Sequence, residues 1–320
     1  MSEPRQMTVG ATIVTLNAEG TLRDCLTPLL GAKMLDKILV VDSSSDDATV
    51  SIAREMGVEV LIIPRGSFNH GATRNVARRQ LGTDIAILLT QDAFAVDAGT
   101  FERLVEPIKE SRAAVCYARQ LPHDQSGIFE RYPREFNYGP QSQLRGMDDI
   151  AQYGVYTFFC SNSCAAWDNT ALDEIGGFPS VLTNEDYFAV ARLLSKGYKI
   201  AYVAQAEAKH SHRYTLLQEF QRYFDTGYVR AERPWVQEMV GNAEKRGAAY
   251  FTGLLRKLLI SNPLLIPYAC IQTLVKWVGF RVGFYGLRFP LWLKRTLSSQ
   301  KSYWTEENMA TNGHGQVHRQ

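Results

Sequence analysis

The sequence has almost no excess of charge of either sign. Its 35 lysines and arginines are balanced by 33 aspartates and glutamates, which leaves a net charge of +2 over 320 residues. Proteins that bind nucleic acid in general carry a pronounced positive patch, because neutralisation of phosphates supplies most of their affinity. The charge balance therefore argues against a nucleic-acid partner.

Cysteine is also scarce. The chain has five cysteines, an odd number, and they are scattered along the chain: Cys25, Cys116, Cys160, Cys164 and Cys270. This usage is typical of a reducing compartment rather than of a disulfide framework. Cys160 and Cys164 are spaced one residue wider than a usual zinc knuckle and have no second pair, so we do not expect a zinc site.

No segment has the pattern of a targeting sequence. The first residues, MSEPRQM, are polar and lead into an apolar run without a cleavable signal, so we expect the protein to stay in the cytoplasm. The longest uncharged window, 258–275, is marginal in length for a membrane span and contains Pro263 and Pro267. We do not expect a transmembrane helix there.

What the sequence does contain, from Thr8 onward, is a regular alternation of short β-rich runs with helical patterns. Runs such as ILVV and IAILL are apolar without alternation, as expected for strands covered on both faces. We therefore predict an α/β fold with a doubly wound, mostly parallel sheet. Ligands of such sheets bind beyond the carboxyl ends of the strands. Four segments follow strands in this way: 15–17, 42–47, 65–74 and 90–93.

The segment SFNHGATRNVARR, residues 67–79, stands where a strand is expected to lead into a helix. Backbone N–H groups at a helix start, with Arg74 one turn further, are suited to bind a phosphate. The alternative is structural, because Asn69 and Thr73 are ordinary helix-capping residues. Taken alone, the segment favours the cap.

Two acids follow buried strands. Asp42 begins DSSSDDAT and is placed to accept from a base N–H or a ribose hydroxyl, although no G-x-G-x-x-G follows the first strand, which disfavours a nicotinamide enzyme. Asp92 ends a strand in LLTQDAF, where a carboxylate is suited to hold a divalent cation beside a diphosphate. A helix cap is the alternative for each.

Two further groups are candidates for chemistry. Glu185 and Asp186 stand together at the expected start of a helix, where acids also occur simply to complement the helix dipole. His210 and His212 alternate in AKHSHRY, so in an extended segment one would point to each side and only one would reach a given ion. A histidine that joins Asp92 would indicate a metal site.

The chain divides by composition. Residues 1–213 carry the α/β pattern, interrupted at 121–156 by a stretch rich in Pro, Gly, Tyr and charge that predicts a long irregular excursion. Residues 214–297 are helical in pattern, and 298–320 are polar and expected to be disordered.

The helical region becomes strongly apolar at 248–297, where it also carries lysine, arginine and tryptophan and no acidic residue. This composition is typical of helices that lie in a membrane interface. The alternative is a helical pair buried in a homo-oligomer or against the main domain.

These pieces, in this order, resemble the inverting, metal-dependent glycosyltransferases of family 2, which have the GT-A fold. The resemblance covers about two thirds of the chain, from Met7 to Tyr214. TLN and VVDSSSDDAT look like the nucleotide-binding loops, and TQDA looks like the metal-binding D-x-D element with one acid kept. IGGFPSVLTNED resembles the segment with the catalytic base, and HSH resembles the late histidine that completes metal coordination.

FNHGATRN and TQDA are similar to the rhamnosyltransferase branch of this family, which implies dTDP-L-rhamnose as donor and a glycan or lipid-linked glycan as acceptor. The implied metal is Mg²⁺ or Mn²⁺, held by Asp92 with His212 or His210. The implied donor-binding residues are Thr15, Leu16, Asn17, Asp42, Ser44, Asn69, His70, Arg74 and Gln91.

The resemblance also implies a mechanism. A cation and Arg74 would neutralise the departing nucleoside diphosphate, while Asp186, or Glu185 as second choice, would take the proton of the acceptor hydroxyl. Asn162 and Trp167 are expected on the acceptor side, and the excursion 121–156 is expected to cover the site. The enzyme would work at the inner face of the cell membrane.

Three alternatives remain at this point. A family 2 transferase with a UDP- or GDP-sugar donor would share every motif above. A sugar-nucleotide pyrophosphorylase usually has a glycine-rich, basic segment after its first strand, which TLNAEGTLRD lacks. A catalytically inactive scaffold for glycan assembly would keep the fold and the membrane surface; Asp42, Asp92, Asp186 and His212 argue against it.

Overall fold

A computed structural model describes residues 6–241 and 244–305, which form two compact units. The first unit runs to Pro179 and includes Glu185–His212. The second comprises Ser180–Asn184 and the chain from Arg213 onward. The division after His212 lies one residue from the predicted boundary at 213.

The first unit alternates strands and helices as the apolar runs predict. Its strands are β1 Val9–Thr15, β2 Lys37–Asp42, β3 Glu59–Ile62, β4 Ile85–Thr90, β5 Phe94–Ala95, β6 Val115–Leu121, β7 Gln143–Arg145, β8 Cys164–Asp168 and β9 Ile200–Lys209. Its helices are α1 Leu22–Gly31, α2 Thr49–Glu55, α3 His70–Leu81, α4 Gly99–Lys109, α5 Ile128–Asn137, α6 Ile150–Tyr153, α7 Asn169–Glu174 and α8 Glu185–Ser195.

The described strands form one sheet with the order β3-β2-β1-β4-β8-β6-β9-β5, and β7 pairs with β9. Strands β1 to β4 are parallel, whereas β8 runs antiparallel to both β4 and β6. The sheet is thus mixed beyond β4. The central strands are buried on both faces, with Ile13, Val40 and Ile87 fully inaccessible, which explains their apolar sequence.

The topology brings several loops to one edge of the sheet. Thr15 at the end of β1 pairs with Asp42 at the end of β2, and Val14 pairs with Thr90 at the end of β4. Strand β8 starts at this edge because it is antiparallel to β4. Strands β6 and β9 end together, with Leu121 opposite Lys209. Residues that follow these strands therefore lie near one another.

The excursion 121–156 is more regular than its composition indicated. It contains α5, the short strand β7 and α6. Pro133 inside α5 argues against a helix, and β7 has too few residues to show a period. The pairing of Gln143 with Tyr202 attaches the excursion to β9.

The second unit is helical, as predicted. Its helices are α9 Leu216–Glu232, α10 Pro234–Val240, α11 Glu244–Ser261, α12 Ile266–Phe284 and α13 Leu291–Leu297. By length and composition, 263–284 is long and apolar enough to cross a membrane.

The predicted disordered tail, 298–320, is ordered over 298–305. Trp304 is buried and packs edge-on against Tyr228 of α9, and the Ser299 N–H donates to Asp225. These contacts outweigh the polar composition of the segment. Residues 306–320 lie outside the described part of the chain.

Candidate active site

Asp92, His210 and His212 form a compact cluster at the carboxyl edge of the sheet. Their ligand atoms lie within 4.8 Å of one another. Asp92 Oδ1 is 3.4 Å from His210 Nε2, and Asp92 Oδ2 is 3.2 Å from His212 Nε2. The two Nε2 atoms are 2.8 Å apart. Both histidines thus reach Asp92, contrary to the expectation that one would point away, because β9 ends at Lys209 and its alternation stops there.

Gln120 determines which nitrogen of His210 is free to bind a cation. The Gln120 amide donates to Ser161 Oγ at 2.8 Å, so its oxygen accepts from His210 Nδ1 at 2.9 Å. The proton of neutral His210 is therefore on Nδ1, and the lone pair of Nε2 points toward Asp92. An imidazole held by its other nitrogen in this way is the usual arrangement of a metal ligand.

The cluster has the electrostatics of a cation site. Burial lowers the pKa of His210, so the ring is neutral at pH 7. Burial opposes ionisation of Asp92, but the neighbouring imidazoles more than offset it and the pKa of Asp92 lies well below its usual range. Within the described chain, Asp92 Oδ1 is buried without a hydrogen bond. A carboxylate within 3.4 Å of two imidazole nitrogens offers one oxygen and two nitrogen ligands, a set that fits a divalent metal ion.

A second pair of acids begins α8, and its two members have different environments. Glu185 is buried and forms an ion pair with Arg74 at 2.8 Å. Burial opposes ionisation of Glu185, yet the positive charge of Arg74 prevails and its pKa is lowered. Asp186 accepts from the backbone N–H groups of Asn162 at 3.2 Å and Tyr187 at 2.8 Å.

The pKa of Asp186 is raised to about 7, first by burial and then by the negative charge of Glu185. A carboxylate with such a pKa can exchange a proton near neutral pH. Glu185, in contrast, is held ionised by Arg74 and accepts a hydrogen bond from Asn162. Of the two predicted catalytic acids, Asp186 thus has the environment of a group that can take up a proton near neutral pH.

Arg74 lies in a different environment from the one expected for a diphosphate contact. Its side chain is only 6% exposed, and its Nη1 contacts Glu185 and, at 3.3 Å, His70 Nδ1. Burial lowers the pKa of His70 to about 4, so the neutral ring accepts from Arg74. Nη1 of the guanidinium is thus engaged by Glu185 of α8, a contact that sequence spacing could not show. Arg74 is thus the charge partner of Glu185 in this structure, and its contact with a diphosphate stays a prediction.

Asn162 and Trp167 were expected to face an acceptor and instead support α8 from within. The Trp167 indole is fully buried and donates to Asn162 Oδ1 at 2.8 Å. The Asn162 amide in turn donates to Glu185 at 2.9 Å. Trp167 points inward because β8 is a central strand with both faces covered. Both residues therefore position the acids.

Segment 160–163 connects the two clusters. Asn162 contacts both acids of α8, while Ser161 accepts from Gln120, the partner of His210. Ser163 O accepts from Thr90 N at 3.4 Å, close to Asp92 along the chain. A single backbone turn therefore fixes the candidate base and the candidate metal cluster relative to each other.

The predicted nucleotide loops meet beside this site. Gln91 makes two hydrogen bonds with the backbone of Leu16, at 2.7 and 3.1 Å. The Asn17 N–H donates to Ser45 Oγ at 2.8 Å. Asn17 and Ser44 both have positive φ, 52° and 58°, a conformation that costs free energy unless the surroundings impose it. The loops are thus held in a defined shape.

Asp42 maintains that shape from inside. Its side chain is fully buried and accepts from Thr15 Oγ1 at 2.8 Å, from Ser45 Oγ at 2.6 Å and from the Ser45 N–H at 2.8 Å. The expected direct contact of Asp42 with a base is not available in this conformation, because its oxygens are already occupied. The exposed groups of the loops are those around Leu16, which is 40% exposed.

Helix α3 starts as the capping alternative predicted. The Asn69 side chain accepts from the Gly71 and Ala72 N–H groups, both at 3.0 Å. A Cβ on Gly71 would overlap the Pro179 carbonyl, so glycine permits a close approach of the backbone. The Asn75 amide makes paired hydrogen bonds with the Phe178 backbone, at 2.8 and 3.0 Å. The polar face of α3 therefore anchors the segment that precedes the acids.

Sequence reasoning missed Gln120, Ser161 and Asn75. Each is an ordinary polar residue whose partner is distant in sequence. Asn75 had a weak signal, since it stands within ATRN, but nothing indicated that its partner would be the backbone of Phe178. Gln120 had none, because a polar residue near the end of a strand is common.

A mixed sheet with polar loops, an acid–histidine cluster and a pair of adjacent acids near one edge is the arrangement expected of a glycosyltransferase of the GT-A type. The model of the family described as Glycosyl transferase family 2 matches residues 11–176. The chain belongs to this family, and to its rhamnosyltransferase-like branch, as its motifs had predicted.

Two relatives carry the branch assignment. The O-antigen chain rhamnosyltransferase RfbN of Salmonella typhimurium is 39% identical over 272 residues, which cover 84% of this chain and 87% of the relative. The O-antigen chain rhamnosyltransferase WbaN of Salmonella anatum is 38% identical over 270 residues, with 84% and 86% covered. The chain is a glycosyltransferase of polysaccharide synthesis.

Solved structures confirm the fold. The mannosyltransferase PcManGT from Pyrobaculum calidifontis, in complex with GDP-Man and Mn²⁺, superposes with a TM-score of 0.60 at 14% identity, and the match covers 89% of each chain. Residues 1–349 of TarS from S. aureus give a TM-score of 0.52 at 14% identity, over 88% of this chain and 91% of that one. The predicted GT-A fold is therefore confirmed.

Proposed function

We propose that this chain is an inverting transferase that moves L-rhamnose from dTDP-L-rhamnose to a hydroxyl of a lipid-linked or polysaccharide glycan acceptor. The identity of 39% and 38% to two O-antigen chain rhamnosyltransferases, over most of each chain, supports rhamnose as the sugar. The motifs FNHGATRN and TQDA support the same branch.

The observation that carries the mechanism is the difference between the two adjacent acids of α8. Asp186 has a raised pKa and two backbone donors that fix its orientation, whereas Glu185 is neutralised by Arg74. Asp186 takes the proton of the acceptor hydroxyl as that oxygen attacks the anomeric carbon. The bond to the nucleoside diphosphate breaks on the opposite face, so a single displacement inverts the configuration.

Asp92, His210 and His212 would hold Mg²⁺ or Mn²⁺, which when bound supplies positive charge to the diphosphate leaving group. Gln120 keeps His210 in the tautomer that this requires. Leu16, Asn17, Ser44 and Gln91 form the wall for the nucleotide, and Asp42 holds that wall in shape.

Asn69 and His70 stand at the start of α3, the helix that pairs with α8, where the proposed catalytic base Asp186 lies. In this proposal Asn69 caps α3, and His70 completes the surroundings of Arg74, so both support the donor site through α3. The excursion 121–156 forms the acceptor side.

The chain would act in the cytoplasm as a peripheral protein at the inner face of the cell membrane, where it would meet a lipid-linked glycan acceptor. The basic, acid-free composition of 248–297 supports contact with the membrane surface. A homo-oligomer through the C-terminal helices is the alternative use of that region.

A donor comparison tests the proposal. Purified protein is incubated with Mg²⁺ or Mn²⁺ and a glycan acceptor, and product is measured with dTDP-L-rhamnose, UDP-sugars and GDP-mannose in parallel. We expect transfer from dTDP-L-rhamnose alone, with inverted configuration in the product. Asp186→Asn should still bind the donor while turnover falls by about 10²- to 10⁴-fold.

Other results would replace the proposal. Transfer from a UDP- or GDP-sugar instead would keep the family and change the donor. Absence of transfer from every donor, with folded protein, would favour an assembly scaffold.

A further inference from the structure

Helices α9 and α12 of the second unit pack against each other at three glycines. A Cβ on Gly279 or Gly283 of α12 would overlap the backbone of Phe220 or Phe224 in α9, and a Cβ on Gly227 would overlap that of Phe280. Gly279 and Gly283 are four residues apart, so they lie on one face of α12. Small residues with this spacing let helix backbones approach closely, as is common where helices associate in lipid.

The polar groups of the pair lie between the two helices. Glu219 of α9 and Gln272 of α12 are 6% and 4% exposed, and the Gln272 amide donates to Glu219 at 3.1 Å. Lys276, with a side chain 13% exposed, forms an ion pair with the same carboxylate at 3.2 Å. In a water-soluble helical bundle, by contrast, the residues buried between helices are usually apolar.

Large apolar side chains point outward from α12 and from the turn before it. Leu264 is 89% exposed, and Leu274 and Trp277 are each 59% exposed. Ile260 at the end of α11 and Ile271 belong to the same exposed set. We call Ile260, Leu264, Ile271, Leu274 and Trp277 the outer apolar surface. An exposed set of this kind marks an interaction site.

Arginine and aromatic side chains border this surface. The Arg281 guanidinium lies 5.9 Å from the ring centre of Trp277 and 5.2 Å from that of Tyr285, and it donates to the Tyr285 hydroxyl at 3.1 Å. The sequence has no acidic residue from 245 to 305. Aromatic rings with cations at the edge of an apolar surface are typical of the headgroup level of a bilayer.

We propose that the outer apolar surface inserts into one leaflet of a bilayer that contains anionic phospholipid, with Arg281 at the level of the phosphates. The two helices then lie in the interface rather than cross it, because α9 runs alongside α12 and carries the exposed Arg222 and the polar Gln218. The inference rests on the proposed function in one respect, namely that membrane binding would bring the enzyme to a membrane-borne acceptor.

Vesicle flotation of the full chain tests this. The probes are vesicles of phosphatidylethanolamine with phosphatidylglycerol and vesicles of phosphatidylcholine alone. We expect the wild type to float with the anionic vesicles and to bind the neutral ones less tightly. The double variant Leu264→Glu/Leu274→Glu should lose at least about tenfold in partition coefficient, because two apolar side chains leave the lipid and two anions are introduced.

Leu30→Glu is the matched control, since Leu30 is 47% exposed on α1 of the first unit. It should float like the wild type. A second measurement does not depend on the double variant: brominated lipid should quench tryptophan fluorescence of the wild type, and Trp277→Phe should remove most of that quenching.

Unchanged flotation of the double variant, or quenching that survives Trp277→Phe, would overturn the proposal. A wild type that ignores both vesicles and is a dimer, with a monomeric double variant, would assign the surface to a second copy of the chain. Transfer to a water-soluble acceptor should be the same in the double variant and the wild type. Failure of transfer in both, with vesicle binding intact, would count against the proposed function alone.

Discussion

Adjacent residues of one helical turn have different tasks because they face different neighbours. Glu185 faces Arg74, a permanent cation, and stays ionised. Burial and then the negative charge of Glu185 raise the pKa of Asp186 against the opposing effect of two backbone N–H donors, so Asp186 retains its proton up to a higher pH. A base must be strong enough to take a proton and yet be ionised at the working pH, and this pairing supplies both conditions.

The pH dependence of the reaction should report this pairing. Since Asp186 must be ionised to act, kcat/KM should rise as the pH increases through about 7. Glu185→Gln removes the negative neighbour, which lowers the pKa of Asp186, so the rising limb should move to lower pH. The measurement is a pH profile of kcat/KM with saturating metal.

Asp173→Asn is a control for this experiment, because Asp173 forms an ion pair with Arg78 and its side chain is 65% exposed. Its profile should match that of the wild type. If the limb of Glu185→Gln coincided with the wild-type limb while the protein was folded, the charge of Glu185 would not set the pKa of the base.

The predicted metal cluster depends on a residue that would not itself bind the metal ion. Gln120 accepts from His210 Nδ1 and thereby leaves Nε2 unprotonated. Gln120→Leu removes that acceptor, so the tautomer with Nε2–H becomes accessible. We expect Mn²⁺ affinity to fall by about 10- to 100-fold, the usual effect of losing such an outer partner. Calorimetric titration of the free enzyme with Mn²⁺ measures it.

Gln80→Leu provides the matched comparison. Gln80 lies on α3, and its amide contacts Glu59 at the surface. It should bind Mn²⁺ as the wild type does. Equal affinity of Gln120→Leu and the wild type would mean that His210 does not need this partner to bind metal.

At the scale of the element, α3 connects the sheet to the acids. Its capping residue Asn69 starts the helix, Arg74 neutralises Glu185, and Asn75 holds the Phe178 backbone. The helix thus orients α8 through charge and hydrogen bonds. A change that displaced the start of α3 would disturb the base without touching it.

Gly71→Ala should produce such a displacement. The new Cβ would overlap the Pro179 carbonyl, which belongs to the backbone and cannot rotate away. Overpacking of this kind costs about 1–3 kcal/mol of the free energy of unfolding. Gly66→Ala, at a position with open space around it, should change stability far less. Urea unfolding of both variants decides; equal midpoints would contradict the close contact.

Much of this fold could be predicted from residues that act locally. The apolar runs of β1, β2 and β4 and the capping residue Asn69 are read from short stretches, and the structure has them where expected. Elements with mixed composition were not predicted, as α5 and β7 show, because a proline inside a segment argues against a helix and three residues are too few to show a period.

The site was less predictable because its contacts join distant parts of the chain. Asp42 and Asp92 were identified as candidates from their positions after strands, Glu185 and Asp186 from the start of a helix, and the histidines from the end of an extended segment. Their partners were not: Arg74 was expected at a ligand, whereas it neutralises Glu185, and Trp167 was expected at an acceptor, whereas it is buried. Both His210 and His212 contact Asp92 because β9 ends at Lys209. The end of a strand cannot be predicted from sequence to within one or two residues.

At the scale of the whole molecule, the two units carry different functional features. The first unit carries the loops, the acids and the metal cluster, and the second carries the outer apolar surface. The chemistry of the first unit should therefore be measurable in solution, independently of lipid. Its clearest signature is the linkage between metal and donor, since both would contribute to one site.

Metal and donor should stabilise the molecule more together than separately. Each stabilises the native state in proportion to its binding, and a donor at about 100 times its Kd raises the free energy of unfolding by about 2.7 kcal/mol. We expect dTDP-L-rhamnose to raise the unfolding temperature in the presence of Mn²⁺ and much less in EDTA, because the diphosphate then lacks its counter-charge.

Asp92→Asn should remove that difference, since it takes away the anionic ligand of the cluster. Asp173→Asn should preserve the difference, because its side chain is exposed and pairs with Arg78. If the donor raised the unfolding temperature equally with and without metal, the cluster of Asp92 and the two histidines would not bind the diphosphate. The donor would then be held by the loops around Leu16 alone.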